Sequence, residues 1–234
     1  MILDIAFGNR LFQVEVEFME RKQLSITVHP DMKIAAKAPV NYPPDAIRAR
    51  LQKKAAWIAR QVDFFEQFHP PQPARRYVSG ETHYYLGRQY RLKISSGEKS
   101  RVRLIGRFFQ MELQNSKDRS KARELMLKWY NTHAREWLAK RIENYLPQVE
   151  RLGASRPEIR FRRMQKRWGS CSGNGKIVLN TELIKAPIHC IDYVIVHELC
   201  HLIHPNHDTR FYRLLSRIMP DWERRKKRLE RVTL

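Results

Sequence analysis

Apolar and polar residues alternate in residues 10–18, where Phe12, Val14, Val16 and Phe18 are separated by Gln13, Glu15 and Glu17. That two-residue period puts the four apolar side chains on one face of a strand. Leu24, Ile26 and Val28 repeat the pattern, and residues 32–38 supply a third strand that Pro39 ends. The period then changes. Pro43 and Pro44 stand where a helix starts. Ile47, Leu51, Ala55, Ile58, Val62 and Phe65 follow at the spacing of one helical face. Pro70, Pro71 and Pro73 break that helix and open a linker-like stretch.

Strand spacing returns in residues 84–94, 102–105 and 108–113. Residues 115–118 offer a turn and a helix cap. Residues 121–146 read as one long helix with Leu125, Trp129, Trp137, Leu138 and Ile142 at its apolar positions and Lys and Arg on a solvated face. Residues 167–172 and 176–180, separated by Gly175, predict two strands joined by a glycine turn. Residues 191–204 follow as a helix that stops at Pro205, because the residue before a proline is driven out of the helical region. Phe211, Leu214, Leu215 and Ile218 predict a further helix. The pattern contains no internal repeat and places a boundary near residue 116. The chain thus divides into a β-rich N-terminal region with a helix, residues 1–116, and a second domain, residues 117–234.

The helix at 191–204 carries His197-Glu198-Leu199-Cys200-His201. On a helix, His197 and His201 lie one turn apart and point the same way. Two imidazoles so placed can occupy two corners of a tetrahedral zinc site, with bonds of about 2.0–2.1 Å. Glu198 stands beside the first of them, where its carboxylate reaches a water without binding the metal; its expected role is general base. His207 is the expected third ligand, since beyond Pro205 the chain can fold back. His204 competes for that role but lies about 10 Å along the helix axis from His197, and Glu223 is an acidic alternative. Arg210 and Tyr212 flank the site as candidate donors to a developing oxyanion, against the plainer reading of a surface arginine and a half-buried tyrosine. The strand at Trp168 is a candidate edge for pairing with an extended peptide, with Trp168 itself a candidate substrate contact. Cys171 is in reach of a capping role as a thiolate, although a small buried side chain is the simpler reading. Cys200 reads as core filler.

The 234 residues, 42% of them hydrophobic, are enough to bury a sizeable core. Charge changes the picture more. A formal net charge of +21 points to a polyanionic partner such as nucleic acid or anionic lipid, against the plainer reading of a basic but inert surface. The candidate contacts are Arg160, Arg162, Arg163, Lys166 and Arg167 beside the cleft strand, and the run Arg224, Arg225, Lys226, Lys227 and Arg228, which reads equally well as a solvated helix end. Three cysteines are too few and odd in number for a disulfide framework. The N-terminus lacks the features of a signal peptide, and no apolar run approaches the roughly 18 residues of a membrane span. A cytoplasmic protein with no membrane partner is expected.

Several segments together resemble the YgjP-like metal-dependent hydrolases, relatives of the SprT and WLM zinc peptidases. They are Trp168-Gly169-Ser170-Cys171-Ser172, Leu179-Asn180, the stretch from Ile191 to Leu202, and Asn206-His207 with Phe211 beyond. Ser79-Gly80-Glu81, Tyr85-Leu86-Gly87-Arg88, Tyr90 and Leu92 resemble the N-terminal part of the same family. The resemblance implies an α+β fold whose catalytic domain is zincin-like, with an active-site helix and a small antiparallel sheet. It implies one zinc ion on His197, His201 and His207, with Glu198 as the base. The chain departs from the metzincins: His204 and Pro205 stand where they carry a helix-ending glycine, and Met219-Pro220 is a faint echo of their methionine turn. SprT-like relatives act on proteins held on DNA. The expected function is therefore a zinc metallopeptidase cleaving peptide or protein substrates, some of them associated with nucleic acid. The competing expectations are a metal-dependent nucleotide pyrophosphatase, a label YgjP-like proteins carry in places, and a basic nucleic-acid-binding module with a vestigial zinc site. Against the pyrophosphatase stands the lack of a glycine-rich phosphate loop and of an acidic magnesium cluster.

Overall fold

Alternation becomes sheet in the first part of the chain. A computed structural model of the protein describes residues 1–29, 31–66, 75–165 and 167–232, and it divides into two units, Met1–Ala74 and Arg75–Leu234. In the first unit β1 (Ile2–Phe7), β2 (Arg10–Met19), β3 (Ser25–Val28) and β4 (Ile34–Pro39) form a sheet in the order β1-β2-β4-β3. The β1–β2 and β3–β4 pairs are antiparallel and β2–β4 is parallel. Ile5, Phe12, Val14, Val16 and Ala36 on one face are buried with Ile47 and Leu51 of α1 (Pro44–Lys53) and Ile58 and Val62 of α2 (Ala55–Glu66). Sequence spacing predicted a single helix here. The structure breaks it at Lys54, whose backbone leaves the helical region and whose N–H reaches back to the Leu51 carbonyl. The Phe65 side chain and Pro70, Pro71 and Pro73 lie outside the described residues.

The second unit begins with a four-stranded sheet. Its strands β5 (Thr82–Tyr85), β6 (Arg88–Ser96), β7 (Arg101–Ile105) and β8 (Phe108–Leu113) run in the order β5-β6-β8-β7. The predicted strand at 84–94 is a hairpin: Leu86 and Gly87 both have positive φ, 50° and 78°, as a two-residue turn with matching twist requires. A side chain on Gly87 would collide with Pro187, so the turn sits directly on the segment that leads to the helix carrying His197 and His201.

One face of this sheet packs on α3 (Arg119–Glu143). The Asp118 carboxylate caps that helix by accepting from the Lys121 N–H. Phe109, fully buried, meets Trp129 edge-to-face at 4.8 Å and Tyr130 at 5.8 Å. A buried Phe contributes about 1.5–3 kcal/mol, so β8 and α3 cannot belong to separate cores. The division accordingly falls at residue 74/75 and not near 116.

The remainder comprises α4 (Leu146–Glu150), β9 (Glu158–Arg162), β10 (Gly169–Cys171), β11 (Lys176–Asn180), a 3-10 turn over Thr181–Lys185, α5 (Ile188–Cys200), α6 (Thr209–Ile218) and α7 (Trp222–Glu230). The small sheet has the order β10-β11-β9, with β10–β11 antiparallel and β9–β11 parallel. Helix α5 is buried on nearly every side, from Cys190 through Val196 and again at Glu198, Leu199 and Cys200. It ends at Cys200, one turn earlier than Pro205 suggested, because His201 caps it and the next three residues close into a turn on the Leu199 and Cys200 carbonyls.

Candidate metal centre

The helical spacing of His197 and His201 brings their rings to 5.0 Å, and the chain beyond Pro205 returns His207 to 4.9 Å from the first and 4.5 Å from the second. The Nε2 atoms converge: His207 lies 2.9 Å from His197 and 3.0 Å from His201. His204 does not join them. Its carbonyl instead accepts from Nδ1 of His201 at 3.0 Å, which leaves Nε2 of a neutral His201 as a bare lone pair aimed at the other two rings. Lone pairs so crowded repel unless a cation lies among them. In a tetrahedral site with bonds of about 2.0–2.1 Å, donor atoms stand about 3.3 Å apart, close to the observed spacing. The donor set therefore fits one zinc-class ion.

Electrostatics favours the ligating form. Burial holds the His197 imidazole down to about 3, with His201 and His207 also opposing its protonation, and burial lowers His207 as well. Phe211, fully buried, forms the floor. Its ring stacks on His201 at 4.5 Å and meets His197 and His207 edge-on at 5.0 and 4.7 Å. Asp208, next to His207, caps α6 by accepting from the Arg210 and Phe211 N–H groups, which fixes the turn that returns His207.

Glu198 is 6% exposed, and burial lifts its carboxyl to about 7, with Arg167 pulling the other way. A cation on the neighbouring imidazoles draws it back toward the carboxylate. Gly169 on β10 lies against this side chain. The approach of β10 is set by a residue that sequence reasoning noticed only as part of a resemblance. Asn180, fully buried, accepts from the N–H groups of Met164 and Glu182 and donates to the carbonyls of Met164 and Arg167 at 2.7 and 2.9 Å. It thereby holds Met164 and Arg167, on the approach to Trp168 and to Gly169 against Glu198.

A family model described as YgjP-like, metallopeptidase domain, matches residues 22–232. The chain belongs to the YgjP-like family. It is accordingly a hydrolase built on a metallopeptidase domain. Among solved structures, the metallopeptidase zymogen jannalysin of Methanocaldococcus jannaschii is 19% identical with a TM-score of 0.35, over 39% of this chain and 92% of that one. The metallopeptidase zymogen abylysin of Pyrococcus abyssi is 24% identical with a TM-score of 0.34, over 38% and 90%. None of the curated proteins matches. No helix among the described residues is long and apolar enough to cross a membrane.

Other expected contacts of this YgjP-like chain are more dispersed. Tyr212 is 37% exposed and stacks on Trp222 at 5.3 Å, with its ring 6.2 Å from His207. Arg210 is exposed, Trp168 half-buried and Glu223 exposed on α7. Arg160 pairs with Glu158 at 2.5 Å and Arg163 with Glu182 at 3.6 Å, whereas Arg162 and Arg167 are exposed; Lys166 lies outside the described residues. Arg224 and Arg225 engage Asp221, and Arg225 also approaches Asp192, leaving Lys226, Lys227 and Arg228 as the exposed end of α7. Cys171 is half-buried; Cys190 and Cys200 are buried.

Proposed function

We propose that the protein is a zinc-dependent peptidase in which His197, His201 and His207 hold a single ion and Glu198 is the general base. The convergence of three Nε2 atoms beside a buried carboxylate carries this reading. Zinc, when bound, supplies Lewis acidity to the scissile carbonyl and acidifies water. Glu198 takes a proton from the attacking water at a carboxylate oxygen and returns it to the departing amine nitrogen. The buried flank of α5 keeps that proton from bulk water, and the edge of β10 that pairs with no strand among the described residues offers backbone groups to an extended peptide. Arg210 and Tyr212 are proposed as further substrate contacts. The unpaired cysteines suit a reducing, cytoplasmic compartment. The charge of +21 suits protein substrates that are themselves associated with nucleic acid.

The test is mass spectrometry of mixed unfolded proteins and nucleoside triphosphates after incubation with zinc-loaded wild type or Glu198→Gln. New peptide termini are expected from the wild type alone, with both proteins retaining zinc. Nucleotide loss with intact protein chains overturns the peptidase reading and leaves a metal-dependent phosphohydrolase.

A further inference from the structure

The sheet β5-β6-β8-β7 buries one face on α3 and leaves the other to solvent. Register places Arg91 beside Phe108 and Phe108 beside Ile105 in one row across β6, β8 and β7. The next row is Lys93, Gln110 and Arg103. All six side chains are exposed; Phe108 and Ile105, large apolar groups, are 42% and 47% exposed. In the third row Arg101 is neutralised by Glu112 at 2.6 Å, but no ion pair among the described residues involves Arg91, Lys93 or Arg103. An exposed aromatic ring on an interior strand, beside the β7–β8 turn, has Arg91 in its own row and Lys93, Gln110 and Arg103 in the next. None of the three cations is held in an ion pair among the described residues, and the ring has no apolar core to serve there. This is the arrangement in which a ring stacks on an unpaired base while cations track the phosphates.

We infer that this face binds single-stranded nucleic acid, with Phe108 as the stacking platform and Arg91, Lys93 and Arg103 as phosphate contacts. The inference deepens the nucleic-acid association proposed above and rests on it; the peptidase reading does not enter. A duplex fits less well, because its bases are already stacked and offer Phe108 nothing. An anionic membrane fits less well too, since two apolar side chains set among polar ones give little area to bury in lipid. The surface lies outside both basic clusters that the sequence singled out, because its cations are spaced by strand pairing and are not consecutive along the chain.

The experiment is fluorescence anisotropy with labelled unstructured RNA and DNA strands of about 16 nucleotides, a duplex of the same sequence, and phosphatidylserine–phosphatidylcholine vesicles by co-sedimentation. Phe108→Thr is expected to weaken single-strand binding roughly tenfold while leaving duplex binding unchanged. The triple variant Arg91→Gln, Lys93→Gln, Arg103→Gln is expected to lower the slope of log affinity against log salt by about 2 for single strands. Circular dichroism and the thermal midpoint check folding; if the triple variant fails to fold, Phe108→Thr and the single glutamine variants carry the test. Wild-type binding that survives these changes but falls with Arg160→Gln, Arg162→Gln, Arg163→Gln or with Lys227→Gln, Arg228→Gln overturns the sheet face and keeps the association. Binding that prefers duplex or vesicles and ignores Phe108 overturns the single-strand assignment. No binding to any nucleic acid at low salt overturns both.

Discussion

Gly169 on β10 lies against the Glu198 side chain so closely that a Cβ built on it stands 2.6 Å from Oε1 and 2.7 Å from Cγ. Its backbone is not in the left-handed region, so alanine is conformationally admissible there, and the consequence of a methyl group is steric. Either β10 retreats from α5 or the carboxylate swings away. A displacement of about 1 Å at a catalytic group costs on the order of a hundredfold in rate. Gly169→Ala is therefore expected to lower kcat by roughly ten- to a hundredfold, with zinc stoichiometry unchanged. Loss of zinc in the variant, or full activity, shows that the close approach does not position Glu198.

Phe211 touches all three imidazoles, and its replacement separates support from ligation. Phe211→Leu is expected to leave the fold intact and to weaken zinc binding by roughly ten- to a hundredfold, read by competition with a chromophoric chelator. His207→Ala removes a donor outright and should lose stoichiometric zinc. Because the converged imidazoles exist only in the folded chain, stripping the metal is expected to lower the thermal midpoint, and zinc to restore it. An unchanged midpoint after chelation contradicts this linkage.

Local periodicity made parts of this structure readable and long-range packing hid others. The one-turn spacing of His197 and His201, the strand alternation of Phe12, Val14 and Val16, and the stripe from Ile47 to Val62 are properties of a short window, and each recurs in the fold. The return of His207 was readable because Pro205 bars the helix from continuing to it, although the chain has already left the helix before that residue. The end of α5 was not, since the turn on Leu199 and Cys200 competes with proline and closes first. The unit boundary depends on Phe109 meeting Trp129, a contact between two elements that no window contains. Gly169 against Glu198 and the four hydrogen bonds of Asn180 are likewise tertiary. Strand β9 was masked by its own charge: Ile159 and Phe161 alternate with Glu158, Arg160 and Arg162, and the arginines drew attention as a cluster before the alternation did.

Asp192 links three helices. Its carboxylate, 5% exposed, accepts from Nε and Nη2 of Arg141 on α3 at 2.5 and 2.7 Å and lies 3.7 Å from Arg225 on α7. Removing the charge leaves two guanidinium groups facing an uncharged amide. Arg141 keeps 31% exposure, so water relieves part of the loss. Asp192→Asn is expected to cost roughly 2 kcal/mol, below the ~3–5 kcal/mol seen when a fully buried pair is broken. Urea unfolding followed by tryptophan fluorescence reads this, since Trp129, Trp137, Trp168 and Trp222 all lie in the second unit. A change within experimental error means the pair only offsets its own desolvation.

His83 gives the second unit an acid-sensitive stability of its own. It is 4% exposed and packs edge-on to Phe109 at 6.1 Å. Burial lowers its imidazole from the usual value to about 4, although Glu81, 3.4 Å away, pulls upward. The Glu81 carboxylate is already committed to the N–H groups of Arg76 and Tyr77 and is poorly placed to rescue a charged ring. In the unfolded chain this histidine takes up a proton near pH 6.5, whereas in the folded protein it does so only near pH 4. Between those values the unfolded state binds more protons, so stability falls as the pH falls. The contribution is whole above about pH 6.5 and is lost progressively toward pH 4, amounting to about 3 kcal/mol over the window. His83→Leu removes the titration, so the stability advantage of wild type over this variant should shrink by about that amount between pH 7 and pH 4. A constant difference across that range means that His83 titrates alike in both states and that its burial does not govern the acid response.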